Sequence, residues 1–157
     1  MEPYKGLMNI LEYNRKGVFN GWTLTIAGKG QIPQELKKLE NIKVYDRFIS
    51  DEELFDLIKN TSFVFMPYDS ATQSAVVLHS YSLSTPVICH DVGALSEYVE
   101  NTRGFVFEKN NHQQLLEFLN SMTSNNYQDI VQNVEEYFNS NFNNVVLSGV
   151  LKKALTL

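Results

Sequence analysis

The chain has 157 residues, of which 43% are hydrophobic and 20% charged, enough for one domain with its own core. Its net charge of -5 argues against nucleic acid as a partner, because no basic patch offsets it. The single cysteine, Cys89, cannot form an internal disulfide, so we expect a reducing cytoplasm. No apolar run approaches the roughly 20 residues that cross a bilayer, and no His, Cys and carboxylate cluster has metal-ligand spacing.

Apolar periodicity predicts alternating helices and strands along the chain. In chain order we predict a helix from Lys5 to about Phe19, a strand from Trp22 to Ala27, a short helix over "IPQELKKLE", a strand over "IKVYDRFI", a helix capped by Ser50, a strand over "SFVFMPY", a helix between Ala71 and Ser84, a strand over "PVICH", a short helix over "GALSEYV", a short strand over "GFVFE" and a helix over "NNHQQLLEFLNSM". Residues 124–157 are predicted as a helical tail with a break near residues 139–144.

The predicted strands are apolar and alternate with helices, which indicates an α/β fold with a parallel sheet covered on both faces. We therefore expect residues 1–157 to form a single Rossmann-like domain, ending in the helical tail. In such sheets ligands bind at the carboxyl ends of the strands. That edge collects residues 28–30, 46–47, 67–74 and 90–93.

The stretch "YDSATQSAV" runs from a predicted strand into the start of a helix. Free backbone N–H groups and the helix dipole make such a start suited to an anion. Thr72, Gln73 and Ser74 add small polar side chains there. The alternative is an ordinary N-cap, in which Ser70 or Thr72 satisfies the first turn.

Six motifs occur in a fixed order: "MEPYKGL", "LTIAGKG", "YDRFISDEEL", "FMPYDSATQSAVVLHSYSLSTPVI", "DVGALSEYV" and "RGFVFE". Each is weak alone, but together they resemble the C-terminal, nucleotide-sugar-binding half of family-4 glycosyltransferases of the GT-B type. The resemblance covers roughly residues 1–124. It implies a donor-binding domain that holds a nucleoside-diphosphate sugar against a separate N-terminal domain. The reaction it implies is retaining transfer to a glycan or lipid-linked acceptor, in glycan or polysaccharide biosynthesis.

The same resemblance implies no cofactor and no bound metal, and a cytoplasmic location that includes the inner face of the membrane. Two motif departures qualify it. Many family members carry two glutamates with seven residues between them, and this chain has Ala71 and His79 at those places. The "ATQS" wording resembles a family variant in which Ala/Ser-Gln-Ser replaces the acidic, glycine-rich loop. In addition, the family has an arginine, and a strand before it, ahead of the motif's lysine. Here Met1 stands just after the place of that arginine, so we expect a sheet that lacks its first strand.

For the diphosphate, the resemblance implies Lys5 together with Gln73, Ser74 and the backbone of Ser74, Ala75 and Val76. These groups would stabilise the departing negative charge through an ammonium and fixed N–H dipoles. A solvated Lys5 is the alternative. The resemblance assigns no catalytic base.

For the nucleoside, the resemblance implies close backbone approach at Gly28 and Gly30 and contact with the base at the turn of Arg47. A simple strand-ending turn is the alternative for the glycines. Arg47 would alternatively pair with a nearby acid, Asp46, Asp51 or Glu52. His79 would hold the ribose, or it is a buried histidine with satisfied hydrogen bonds.

Three functional hypotheses remain open at this point: the donor-binding half of a glycosyltransferase, inactive alone; a module that binds a nucleotide without turnover; and a structural or regulatory fragment that pairs with another chain. A missing strand would leave backbone groups unpaired. Either the strands Trp22 to Ala27 and Phe63 to Met66 close up and pair, or a second copy fills the space. The apolar tail residues Val145, Val146, Leu147, Val150 and Leu151 also favour a homodimer.

Overall fold

The structure is a computed structural model that describes residues 3–72 and 74–142. Its strands are β1 (Leu24–Ala27), β2 (Ile42–Tyr45), β3 (Val64–Met66), β4 (Val87–His90) and β5 (Gly104–Phe107). Its α-helices are α1 (Leu7–Arg15), α2 (Asp51–Lys59), α3 (Ala75–Ser82), α4 (Leu95–Tyr98), α5 (His112–Ser121) and α6 (Ser124–Phe142). Two 3₁₀ turns cover Pro3–Lys5 and Leu36–Lys38.

All strand pairs in the described chain are parallel, as predicted, but the sheet is in two pieces. One piece pairs β1 with β2, and the other has the order β3-β4-β5. No ladder joins β1 to β3 within residues 3–72 and 74–142. The expectation that these two strands close up and pair is therefore wrong, and a gap separates them, which we call the β1–β3 gap.

Strand β4 shows how the helices cover both faces, because its side chains alternate between two cores. Ile88 belongs to a core that includes α1 and α5, whereas Val87 and Cys89 belong to a core that includes α3, α4 and α6. All four residues of β4 are buried. The Rossmann-like α/β layering predicted from the sequence is confirmed.

Helix boundaries differ from the sequence predictions at three places. The stretch "IPQELKKLE" forms only a 3₁₀ turn, because Leu39 is already extended and its carbonyl accepts the Ile42 N–H at 3.1 Å. Helix α1 stops at Arg15 instead of Phe19, since Gly17 has a left-handed φ of 74°. Helix α6 continues unbroken to Phe142, so the break expected near residues 139–144 does not occur up to that point.

The predicted apolar tail residues Val145, Val146, Leu147, Val150 and Leu151 lie outside the described residues. Within the described ranges, none of the helices is long and apolar enough to cross a membrane.

Candidate functional site

The loop between β3 and α3 is held by two glycines from other segments. Gly6 has φ 72°, and a Cβ there would lie 1.7 Å from the Pro67 carbonyl oxygen. Gly93 has φ 54°, and its Cβ would lie 1.6 Å from the Ala71 carbonyl oxygen. Only glycine fits either position, because both the space and the backbone conformation exclude a side chain. The start of α1 and the β4–α4 loop are thereby packed against the carboxyl end of β3.

Lys5 lies at this edge with its ammonium group between two tyrosines. Its Nζ donates to the Tyr68 hydroxyl at 2.8 Å and lies 4.1 Å from the Tyr68 ring centroid and 5.0 Å from that of Tyr4. Burial alone would lower the pKa of Lys5, but the hydrogen bond and the charge interaction with Tyr68 outweigh it and raise the pKa. The side chain is half-buried rather than simply solvated. A fixed ammonium near a strand end suits an anionic ligand.

A polar network behind Lys5 fixes the same loop. Asn9 donates from Nδ2 to the Pro67 carbonyl at 3.1 Å and to Asp69 Oδ1 at 3.0 Å, and Lys109 contacts that oxygen at 2.7 Å. Burial alone would raise the pKa of Asp69, yet the bonds from Lys109 and Asn9 hold it below its ordinary value. The backbone N–H of Asp69 also donates to the Tyr4 carbonyl at 2.8 Å. The negative charge of Asp69 is thus engaged by Lys109, whereas the Lys5 ammonium is bonded to the neutral Tyr68 hydroxyl.

His90, at the end of β4, is fully buried beneath this loop. Its Nδ1 must donate to the Tyr68 carbonyl at 2.9 Å, because a carbonyl only accepts, so its Nε2 accepts from the Tyr13 hydroxyl at 2.8 Å. Burial lowers the pKa of His90. Its two hydrogen bonds make it a structural support of the loop. The neighbouring Cys89 is also fully buried, and burial raises its pKa to about 12, so it is no nucleophile.

Helix α3 begins without a side-chain cap. Ser74 is the N-cap residue, with an extended backbone (φ -144°, ψ 113°), and its side chain makes no capping hydrogen bond. The N-cap residue is thus Ser74, and not Ser70 or Thr72 as the ordinary-cap alternative has it. Thr72 and Ala75 are exposed and Ser74 is half-buried. The start of α3 therefore has no side-chain hydrogen bond from its N-cap residue, while Gln73 lies outside the described residues.

His79 lies in the second turn of α3, against Phe55 of α2 at a ring-centroid distance of 5.2 Å. Its Nδ1 is buried and has no hydrogen-bond partner among the described residues. The alternative of a fully satisfied buried histidine is therefore wrong for this atom. An unpaired buried nitrogen costs free energy, which a ligand hydroxyl could recover.

The remaining residues that the sequence predicted for the site follow the carboxyl ends of β1 and β2. Gly28 donates its N–H to the Tyr45 carbonyl at 3.1 Å, and Gly30 accepts from Ile32 at 3.1 Å, so both form a strand-ending turn. Arg47 is exposed and binds Glu53 through both terminal nitrogens, one of them at 2.7 Å. The expected acids Asp46, Asp51 and Glu52 are not its partners: Asp46 instead binds Lys37 at 2.6 Å. The hydrogen bond to Glu53 raises the pKa of Arg47, and the one to Arg47 lowers the pKa of Glu53.

The structure thus places Lys5 against the β3–α3 loop, which leads into the start of α3. It places Gly28, Gly30 and Arg47 after the carboxyl ends of β1 and β2. Sequence reasoning missed the two tyrosines that hold Lys5, Tyr4 and Tyr68, and the loop support from Asn9. The signal was available for Tyr68, which follows the apolar strand "FVFMP" directly. No group of three or more His, Cys, Asp and Glu side chains in the described part of the chain is arranged to hold a metal.

A protein-family model described as "Glycosyl transferases group 1" matches residues 1–125. A search of curated proteins gives no match. HepE of Anabaena, solved with UDP-glucose, superposes with a TM-score of 0.78 at 17% identity over 99% of this chain and 46% of its own. TarM superposes with a TM-score of 0.76 at 17% identity, over 97% of this chain and 33% of its own. A glycosyltransferase from Rickettsia africae ESF-5 superposes with a TM-score of 0.78 at 18% identity, over 97% of this chain and 44% of its own. The shared feature is the fold, and this chain spans less than half the length of each of the three.

Proposed function

Because the chain belongs to the group 1 glycosyl transferases, we propose that it is the donor-binding half of such an enzyme. The proposal corresponds to the C-terminal half of a GT-B fold, in the "ATQS" variant of family 4. The carrying observation is a fixed ammonium, that of Lys5, which is hydrogen-bonded to Tyr68 of the loop that leads into the uncapped start of α3. Together they form an anion site at the carboxyl edge of a parallel sheet, where the fold places ligands.

The proposed ligand is a nucleoside-diphosphate sugar. UDP and UDP-glucose are present in solved structures of HepE, which shares the fold. In our proposal the diphosphate lies between Lys5 and the backbone N–H groups of Ser74, Ala75 and Val76, with Thr72, Gln73 and the Ser74 hydroxyl as further donors. Because the Lys5 pKa is raised, its positive charge persists at neutral and mildly alkaline pH.

The proposed chemistry is retaining sugar transfer, in which negative charge grows on the departing diphosphate. Preorganised donors aimed at that charge lower the barrier, because they need no reorganisation as the bond breaks. Lys5 and the α3 N–H groups supply this stabilisation. The nucleophile is a hydroxyl of the acceptor, whose proton goes either to the departing diphosphate or to a group of a further domain, and the proposal assigns no catalytic base.

The nucleoside is proposed to extend toward β1 and β2. Gly28 and Gly30 allow close backbone approach, and the turn at Arg47 contacts the base through its backbone, since the guanidinium is engaged by Glu53. His79 is proposed to use its unpartnered Nδ1 for a ribose hydroxyl.

The acceptor is proposed to be a glycan or lipid-linked sugar, bound by a further domain, since this chain spans less than half the length of the solved structures it resembles. The resulting role is glycan or polysaccharide biosynthesis, in the cytoplasm or at the inner face of the membrane. No cofactor is part of the proposal. By itself the chain would bind the donor without transferring its sugar, because the acceptor contacts are on that further domain.

A second candidate is a module that holds a nucleotide without any turnover. It is favoured by one observation: the two positions where many family members carry glutamates are Ala71 and His79. Loss of both carboxylates removes contacts to the sugar and ribose while leaving the diphosphate site intact. The two candidates predict the same binding and differ only when the acceptor half is supplied.

Calorimetric titration with UDP, GDP and ADP tests the binding common to both. We expect at least one nucleotide to bind weakly, and Lys5→Ala to weaken that binding by roughly 10- to 100-fold, because a hydrogen bond to a charged group is lost. Lys59→Ala is the matched control, since Lys59 is an exposed lysine at the end of α2. Incubation with the corresponding donor sugar should release no free sugar beyond slow hydrolysis.

Each of three results would contradict a different part of the proposal. No heat with any of the nucleotides at millimolar concentration would contradict the diphosphate site. Equal weakening in Lys5→Ala and Lys59→Ala would reduce Lys5 to a general charge effect. Transfer to an added acceptor by this chain alone would contradict the need for a further domain.

A further inference from the structure

Tyr68, which follows Pro67 directly after β3, is held at three points. Its backbone carbonyl accepts the Nδ1 proton of the buried His90 at 2.9 Å. Its ring packs nearly perpendicular to that of Tyr4, with a centroid distance of 5.8 Å and an interplanar angle of 87°. Its hydroxyl accepts from the Lys5 ammonium at 2.8 Å. The position of this hydroxyl is therefore fixed before any ligand arrives.

The Tyr68 hydroxyl still has its own proton to donate. A lysine ammonium only donates, so the hydroxyl must be the acceptor in its bond with Lys5. Within residues 3–72 and 74–142 this is the one hydrogen bond that the hydroxyl makes. A phenol has one O–H donor in addition to its acceptor sites. The O–H of Tyr68 is therefore available to an acceptor from outside the described chain.

The neighbouring ammonium makes this O–H a stronger donor. A hydroxyl that accepts a hydrogen bond from a cation is polarised, which strengthens the bond that it donates in turn. The Lys5–Tyr68 bond is only partly buried, so a ligand can reach the pair from solvent. The acceptor that suits such a pair is an anion, because its charge is attracted to the Lys5 ammonium as well.

The spacing of the two donors fits a phosphoryl group. Lys5 Nζ and Tyr68 Oη are 2.8 Å apart, close to the separation of two oxygens on one phosphorus atom. The two donors can therefore bond to two oxygens of the same group at once, in the manner of the paired contacts that arginine makes with phosphate. Neither side chain needs to move for this, since the loop already holds both.

We propose that Tyr68 binds the diphosphate directly: its hydroxyl donates to one phosphoryl oxygen while Lys5 binds a second oxygen of the same group. This inference rests on the proposed function, because it takes the diphosphate as the ligand of the site. Negative charge on these oxygens grows as the bond from sugar to phosphate breaks, so the Tyr68 bond strengthens together with the Lys5 contact. The competing explanation is that the hydroxyl only holds Lys5 in place.

Calorimetric titration of Tyr68→Phe tests whether the hydroxyl contributes to binding. The ligand is the nucleotide among UDP, GDP and ADP that binds the wild-type chain. Tyr68→Phe keeps the ring beside Lys5 and removes the hydroxyl, so binding should weaken by at least about tenfold. Tyr127→Phe is the matched control, because that hydroxyl also makes one hydrogen bond, to the Ser62 carbonyl at 3.1 Å, at the amino end of β3. It should bind the nucleotide as the wild type does.

Replacement of Tyr68 by 3-fluorotyrosine separates direct donation from the holding of Lys5. Fluorine makes the phenol a stronger donor and a weaker acceptor at nearly the same size. Below neutral pH, where the phenol stays protonated, direct donation should tighten nucleotide binding by about two- to threefold. A hydroxyl that only accepts from Lys5 should instead weaken it. The fluorinated side chain keeps both ring and hydroxyl, so this measurement decides the question even if Tyr68→Phe does not fold.

Two results would overturn the inference while leaving the proposed function in place. One is Tyr68→Phe binding as tightly as the wild type while Lys5→Ala binds more weakly. The other is a fluorinated protein that binds no tighter than the wild type. In both cases the diphosphate site would stand without Tyr68 as a ligand. An absence of nucleotide binding by the wild-type chain would overturn the proposed function, and this inference with it.

Discussion

Strands β4 and β1 each have four residues but lie in very different surroundings in the fold. Strand β4 has a neighbour on each side and all four of its residues are buried. Strand β1 has a neighbour on one side, and only Ile26 of its four residues is buried. Strand β4 is therefore a central strand with two covered faces, whereas β1 is an edge strand that faces the β1–β3 gap.

The difference has a functional meaning because the two halves carry different parts of the candidate site. Lys5, Tyr68 and the α3 start are fixed against the three-stranded half by Gly6, Gly93 and the network of His90. Gly28 and Arg47 belong to the two-stranded half. The proposed diphosphate contact Lys5 is thus held against the three-stranded half, whereas the proposed nucleoside contacts Gly28 and Arg47 lie on the two-stranded half.

The largest expected effect is on the free energy of unfolding, and it distinguishes alanine substitutions at two glycines, one in each half. A Cβ on Gly104 would lie 1.9 Å from the Val87 carbonyl oxygen, inside the β4–β5 ladder, so Gly104→Ala should destabilise the fold by about 3 kcal/mol or more. Gly21 precedes β1, has φ 81° and would meet nothing within 4 Å, so Gly21→Ala should cost about 1 kcal/mol for its backbone alone. Urea unfolding of both variants measures the difference. Equal losses would contradict the comparison of the two halves.

An intermediate effect is expected from acid, which acts on the buried histidine of the three-stranded half. Burial holds the pKa of His90 below its ordinary value of 6.5, so the unfolded chain binds the proton more readily. Stability is fully present above the unfolded-state pKa and is lost as the pH falls from about 6.5 toward the lowered value, by up to about 1.4 kcal/mol per pH unit. His90→Gln should remove this slope, measured by urea unfolding between about pH 7.5 and 5.5.

The control for the acid effect is His112→Gln, because His112 lies at the start of α5 and meets Lys16 at an exposed position. It should keep the wild-type slope. A wild-type slope that persists in His90→Gln would assign the acid sensitivity to other groups.

Sequence patterns predicted the element order and the layering well, because buried strands such as "PVICH" and capped helices such as the one after Ser50 are determined locally. They indicated the α3 start as an anion site from its place after a strand, and they predicted a ligand role for Lys5 only through family resemblance. They could not predict the partners of Lys5, since Tyr68 lies 63 residues away and only the fold brings it close. The predicted acid partner of Arg47 was also wrong, because the geometry of the first turn of α2 decides which of several adjacent carboxylates faces the guanidinium.

The smallest expected effect compares two serines at equivalent helix starts. Ser50 caps α2, with its hydroxyl accepting the Glu53 N–H at 3.2 Å, so Ser50→Ala should lower the free energy of unfolding by about 1 kcal/mol. Ser74 is the N-cap residue of α3 but its hydroxyl makes no capping bond, so Ser74→Ala should leave the stability of the free protein nearly unchanged. For the stabilisation by a bound nucleotide, we expect Ser74→Ala to have the larger effect of the two variants. A ligand that binds only the folded chain raises its melting temperature, and this rise should shrink in Ser74→Ala and persist in Ser50→Ala. A loss of about 1 kcal/mol in free Ser74→Ala would mean that this hydroxyl caps the helix in solution, and the α3 start would then have one less free group to offer a diphosphate.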